Sequence, residues 1–167
     1  GLRGSQVDPS LEARRQALAD APEADIWNHP VMTLATTGDN GMPFAAAVYF
    51  AADPDHTLYF YSAGDSQHSL NLSVNPHAAV TIHPSVETWQ EIRGVQLRGK
   101  VRQVPPGGEW DSAWLLYQEK FPFTADLGDV VAKNSLYAFE PDWTRMIDNR
   151  RGFGYKEEWT STDDKQP

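Results

Sequence analysis

Apolar residues along this chain follow two periods. Through most of its length, short β-prone runs alternate with turn-forming residues, and near residue 110 the spacing becomes helical. Residues 31–36 form the first such run. Gly38-Asp39-Asn40-Gly41 is a strong turn signal, and 44–50 reads as the returning strand. Asp53-Pro54-Asp55 marks a second turn before 57–62, a strand with aromatic residues on both faces. Another strand, 78–83, follows the breaker Asn75-Pro76. Residues 89–104 carry Gly94 and Gly99 and predict one bent strand or two. Strands at 135–140 and 144–148 are separated by Pro141-Asp142.

Helices punctuate this pattern. Asp8 suits an N-cap and Pro9 a first turn for a helix over 10–21, which Pro22 ends. Ser66, Gln67, His68 and Ser69 open a helix running to about residue 74. Trp110, Ala113, Trp114, Tyr117 and Phe121 fall on one helical stripe and predict a helix over 109–121. That stripe reads as core or subunit interface rather than a stacking platform for bases. A weaker helix is expected at 126–133. Residues 161–167 read as a polar tail. The opening Gly1-Leu2-Arg3-Gly4-Ser5 looks like a cloning remnant, so 1–7 stand outside the fold and 8–160 are expected to form one domain. Short turns join most strands, and no G-x-G-x-x-G follows one. A mainly β fold is therefore expected, a closed or partly closed barrel with peripheral helices, rather than a dinucleotide-binding βαβ fold.

Composition narrows the chemistry. Lys and Arg number 14 against 23 Asp and Glu, a net charge of −9, which argues against binding nucleic acid through its phosphates. There is no Cys, so disulfides, thiolate metal sites and thiol nucleophiles are excluded, and a cytoplasmic location is expected. The apolar runs fall well short of the ~20 residues that cross a bilayer, and no signal-like segment opens the chain. No membrane partner is expected. His77 and His83 flank a strand and stand roughly 20 Å apart, too far to share a metal. No G-x-S-x-G or H-E-x-x-H occurs. The acidic pairs Glu157-Glu158 and Asp163-Asp164 read as solvated. The most informative stretch is YFYSAGDSQHSLNLSVNP at 59–76. Hydroxyls and free amides at a helix start form a ready anion site, and the same residues equally serve as a plain helix cap.

Three segments carry a resemblance: EIRGVQLRGKVRQV at 91–104, MIDNRRGFGYKEEW at 146–159, and the strand–loop–helix of 61–76. In their order along the chain they resemble the pyridoxamine-5'-phosphate-oxidase-like FMN-binding split-barrel proteins, in a poorly characterised bacterial branch, over roughly 31–159. The resemblance implies a six-stranded split β-barrel and a homodimer with FMN at the subunit interface. It implies that Phe44, Ala45, Ala46 and Ala47 lie along the flavin ring. Tyr61 and Ser62 would stand near the ribityl-phosphate, and Ser66, Gln67, His68 and Ser69 would hold the phosphate. Gln96, or Gly94 two residues earlier on the same strand face, would fall where a strand Gln contacts the flavin. The function implied is an FMN-dependent oxidoreductase of unknown substrate.

The sequence also departs from the oxidase. Gln67-His68 replace its Arg-Lys pair, and the Arg at the start of the 44–50 strand and the C-terminal Arg-x-His have no match. Pyridoxamine phosphate oxidation therefore does not transfer. Arg93 and Arg98 are candidates to restore the missing charge, and Arg150 and Arg151 are cationic candidates near the cofactor that read equally as surface charge. Two alternatives share the fold: a haem- or deazaflavin-binding barrel, and a non-catalytic dimer that has lost its cofactor.

Overall fold

The computed structural model describes Ala13 and residues 23–160. Most of the helix expected over 10–21, the remnant at 1–7 and the tail at 161–167 lie outside the described residues. A short helix α1 (Ala24–Trp27) leads into β1 (Val31–Thr37), β2 (Pro43–Tyr49), the two-residue β3 (Ala51–Ala52) and β4 (Leu58–Ser62). Helix α2 (Gln67–Val74) and β5 (His77–Ile82) follow, then the long β6 (Arg93–Val104). Helices α3 (Gly108–Lys120) and α4 (Gly128–Ala132) precede the longest strand, β7 (Ser135–Asp148), and β8 (Lys156–Thr160) ends the description.

All strand pairings are antiparallel, in the order β2-β1-β5-β6-β7-β4-β3, with β8 added to the far half of β7. The six expected strands are β1, β2, β4, β5, β6 and β7; β3 and β8 are extra edges. The sheet curls into a split β-barrel. β6 and β7 form its spine, because β6 pairs with β5 at one end while β7 pairs with β4 at one end and β8 at the other.

The sequence predicts a break at Pro141-Asp142, and the structure instead carries one strand through it. Arg98 pairs with Trp143 but Gly99 pairs with Pro141, so Asp142 is the extra residue of a bulge. A bulge tolerates the missing proline N–H and bends the strand. It also flips the alternation: Phe139 and Thr144 are buried, an odd and an even position. Gly99 makes the crossing fit. A Cβ there would stand 2.1 Å from the Glu140 carbonyl oxygen and 2.9 Å from Pro141 Cα.

The barrel core joins Phe50, Phe60, Phe139, Leu34, Val95 and Leu97. β4 is buried on both faces. Leu58 and Phe60 point into the barrel, while Tyr59 and Tyr61 point to α3. The helical stripe expected from the sequence is that contact: Ala113, Tyr117 and Phe121 are buried, and Tyr61 meets Trp110, Trp114 and Tyr117 edge-on at 5.0–6.0 Å. Ala113, Tyr117 and Phe121 of the stripe are core, while Trp110 and Trp114 stay partly exposed.

Replacing Gly99 with Ala should cost about 2–3 kcal/mol, the scale of overpacking against backbone that cannot yield. Gly128→Ala, with no atom within 4 Å of the added carbon, should be near neutral. Urea unfolding of both variants checks this, and equal stability would show that the crossing relaxes.

Candidate functional site

The strand β4 delivers Ser62 to the start of α2, and the Ala63–Ser66 loop turns the chain so that α2 begins beside it. Ser66 is the N-cap and accepts from the Ser69 amide at 3.4 Å. Its hydroxyl lies 2.8 Å from both the Ala63 carbonyl and Ser69 Oγ. Ser62 Oγ stands 3.1 Å from Ser66 Oγ and 2.5 Å from His68 Nε2. Ser62, His68 and Ser69 are all buried. One proton arrangement satisfies the chain of contacts: His68 Nε2–H donates to Ser62, Ser62 donates to Ser66, and Ser66 donates to the Ala63 carbonyl, which can only accept. Burial lowers the His68 pKa below its ordinary 6.5, with no ionised neighbour contributing, so the imidazole is neutral at neutral pH. The cap reading thus describes Ser66 well. The amides of Gln67 and His68, in the first turn, still have no intrahelical acceptor.

Asn71, which sequence reasoning passed over, ties this helix to the barrel. Its side chain accepts from Gln67 Nε2 at 2.9 Å and donates to Thr36 Oγ1 at 3.0 Å. The i, i+4 spacing of Gln67 and Asn71 was the available signal. Thr36 pairs with Phe44 in the ladder, so α2 starts close to the edge strand β2.

The structure therefore brings Ser62, Ser66, Gln67, His68 and Ser69 together, with Phe44–Ala47 nearby. Along β2 the side chains alternate: Phe44 and Ala46 share the face of the buried Thr36 and Leu34, whereas Ala45 and Ala47 face outward. Two expected residues stand apart. Tyr61 is turned to α3, where its hydroxyl is buried with no hydrogen-bond partner among the described residues, and burial raises its pKa. Gln96 is exposed on the outer face of β6, in register with Thr81, Thr33 and Ala47. Three strand spacings separate it from Ala47, roughly 14 Å.

Most candidate cations are otherwise engaged. Arg93 forms a bidentate pair with Asp25, whose pKa it lowers. Arg150 grips the buried Asp148 with two bonds of 2.8 and 2.9 Å and lowers its pKa. Arg151 reaches Tyr155 Oη and Glu157. The two resembling segments are joined here, since Asn149 donates to the Trp89 carbonyl at 2.8 Å and Arg93 pairs with Asp148 in the ladder.

Two of the hollows on the described surface have these linings. The larger, about 710 Å³, lies between α1, the β3–β4 turn and α3. Lys120 on its wall donates to the His29 carbonyl at 2.5 Å, lies 3.7 Å from the Phe50 ring centroid, and is lowered by burial to about 8. Trp27 stacks on His56 at 3.9 Å beside it. The smaller, about 370 Å³, opens on the outer face of β1, β5 and β6. No described helix is long and apolar enough to cross a membrane.

The sequence profile for pyridoxamine 5'-phosphate oxidase matches residues 18–148. A pyridoxine/pyridoxamine 5'-phosphate oxidase of Salinibacter ruber is 32% identical over 104 residues, covering 62% of this chain and 46% of that protein. The chain thus spans about half of that relative's length. Among solved structures, a heme binding protein from Mycobacterium smegmatis superposes with a TM-score of 0.69 at 22% identity, covering 94% of this chain and 60% of that one. An F420 reductase superposes with a TM-score of 0.56 at 21% identity, covering 74% of this chain and 96% of that one. Structural likenesses at such identities establish a common fold and no common ligand. The profile match extends over most of the chain, on the split barrel just described, and by that match the chain belongs to the pyridoxamine 5'-phosphate oxidase family.

Proposed function

We propose that this protein is an FMN-binding oxidoreductase that works as a homodimer, with the cofactor at the subunit interface. The observation that carries the reading is the hydroxyl cluster at the start of α2, set close to an exposed edge strand. The Gln67 and His68 amides offer donors to a phosphate, the Ser66 and His68 side chains can turn to it from their present partners, and the positive end of α2 favours an anion there. The β2 edge offers unpaired backbone groups, and Ala45, Ala46 and Ala47 leave room beside it for a flat ring. When bound, FMN supplies the centre that accepts and passes on a hydride or electrons. The chain's own residues then bind, orient and shield that centre.

Charge is what the site lacks. Each neutral donor to the phosphate makes a bond worth roughly 1.5–3 kcal/mol but brings no countercharge to the dianion. Gln67 is neutral, His68 is neutral by burial, and Arg93 is committed to Asp25. The cofactor is accordingly held more loosely than by an Arg-Lys pair. A dimer is favoured by exposed apolar side chains along and beside β2, namely Met42, Phe44, Tyr49 and Phe123. Gln96 would then reach a flavin across the interface.

The test is an absorption spectrum of the purified protein before and after adding FMN, followed by gel filtration. Flavin bands that elute with a dimer are the expected result. A Soret band with added haem and no retained flavin would replace the reading with haem binding. Ser66→Ala combined with His68→Ala should weaken FMN binding by about 2–4 kcal/mol, from two lost polar contacts to a dianion. Fluorescence titration reads this, and unchanged affinity would put the phosphate elsewhere. Since His68 starts neutral, FMN affinity should stay flat from about pH 7 to 8.5; a steady fall across that range would mean that a charged imidazole holds the phosphate.

A further inference from the structure

Lys120 and Asp53 both line the larger hollow, of about 710 Å³, and neither has a counter-ion among the described residues. Lys120 stands in the last turn of α3. Its ammonium donates to the His29 carbonyl at 2.5 Å and the Trp27 carbonyl at 3.4 Å, and lies 3.7 Å from the Phe50 ring centroid. An ammonium carries three N–H donors, so one remains. These contacts are all to neutral groups, and burial alone pulls the amine down to about 8. Asp53 stands in the turn between β3 and β4. Its Oδ1 accepts from the Asp55 and Thr57 amides at 2.9 Å each, while Oδ2 accepts nothing among the described residues. Burial holds its pKa above the ordinary carboxylate value, against the pull of those two amides.

These two groups form no ion pair with each other, so each bears a charge that is partly desolvated and uncompensated. The other carboxylates on the wall differ. Asp25 is held by Arg93, and Glu119 is exposed to water. Ala24, Ala52, Pro54 and Leu116 supply apolar surface between the charged groups. A hollow with apolar walls and a few placed polar groups is the usual make-up of a small-molecule pocket. A ligand that answers both charges must itself carry an anion and a cation.

We propose that this hollow binds an apolar α-amino acid as its zwitterion. The carboxylate takes the remaining N–H of Lys120, the ammonium pairs with Asp53 Oδ2, and the side chain rests on Leu116 and Pro54. Each pairing offsets a burial penalty that the empty hollow leaves standing. A ligand with only one of the two charges leaves the other wall group unanswered, so the hollow selects for the pair. The site is built from α1, the β3–β4 turn and α3. It uses neither α2 nor β2 and does not depend on the flavin reading.

The test is calorimetric titration of the purified protein at neutral pH with L-phenylalanine, 3-phenylpropionate and phenethylamine. The two analogues keep the side chain and lack the ammonium or the carboxylate. Saturable binding of L-phenylalanine is expected, with a loss of about tenfold or more for each analogue, one charge-assisted pair apiece. Lys120→Gln should lose about tenfold toward L-phenylalanine and leave phenethylamine binding as it was. Asp53→Asn should do the same while leaving 3-phenylpropionate binding as it was. Glu119→Gln should change L-phenylalanine affinity by less than about threefold, the effect of an exposed charge. The analogue series in the unaltered protein decides the matter even if a variant fails to fold. Equal binding of the three probes would reduce the hollow to an apolar surface and overturn the proposal. So would the absence of saturation at millimolar L-phenylalanine, or a loss in Glu119→Gln as large as in Lys120→Gln and Asp53→Asn.

Discussion

The pairing of β6 with β7 is the constraint on which the rest depends. These are the longest strands, and they are shared by both ends of the split barrel. They can run through the centre only if they bend, and the bend is the bulge at Gly99, Pro141 and Asp142. The close approach of Gly99 to the Glu140 carbonyl leaves no space for a side chain. Once bent, the pair presents one end to β4 and α3, and the other to β5 and β8. The same bulge puts Asp142 beside the outer hollow and reverses which positions of β7 are buried.

The cluster at α2 shows how a fold keeps a helix start rigid with neutral groups. Ser66 caps, Ser62 and His68 hold each other, and Asn71 bolts the helix to Thr36. Each contact removes a buried polar group from the list of unsatisfied ones. The arrangement needs no charge to be stable, and by staying neutral His68 avoids the larger cost of burying a charge while Ser62 meets its Nε2. A helix cap and a phosphate site draw on the same hydroxyls, which is why the two look alike in this segment.

The charged residues follow a different logic. Arg93 with Asp25, Arg102 with Glu109 and Glu140, Arg145 with Glu158, and Arg150 with Asp148 tie elements together across the barrel surface. Asp148 is the one buried member, and two bonds from Arg150 compensate it. In a chain with excess carboxylates most arginines find acids nearby. Arg98 is set apart because its neighbours on the sheet are alanine and tryptophan.

Local patterns were legible wherever the physics is local. The strand boundaries at β1, β2, β4 and β5 follow from β-prone runs between turn residues. The α3 stripe follows from helical spacing, and the start of α2 follows from Ser66 as a cap. Reading failed at Pro141, because whether a proline breaks a strand depends on the partner opposite it, here a glycine. It failed at β8 too, since Lys156–Thr160 is a strand only by virtue of the free edge of β7. The site divides along the same line. By itself the sequence determined which residues of 61–69 stand at a strand end and a helix start, because capping and turn chemistry act within a few residues. Only the tertiary structure decided that Tyr61 turns to α3, that His68 is buried and neutral, that Gln96 lies three strands from Ala47, and that Arg98 meets no acid among the described residues. Those outcomes depend on which distant elements pack against each residue, and burial and pairing are properties of that packing.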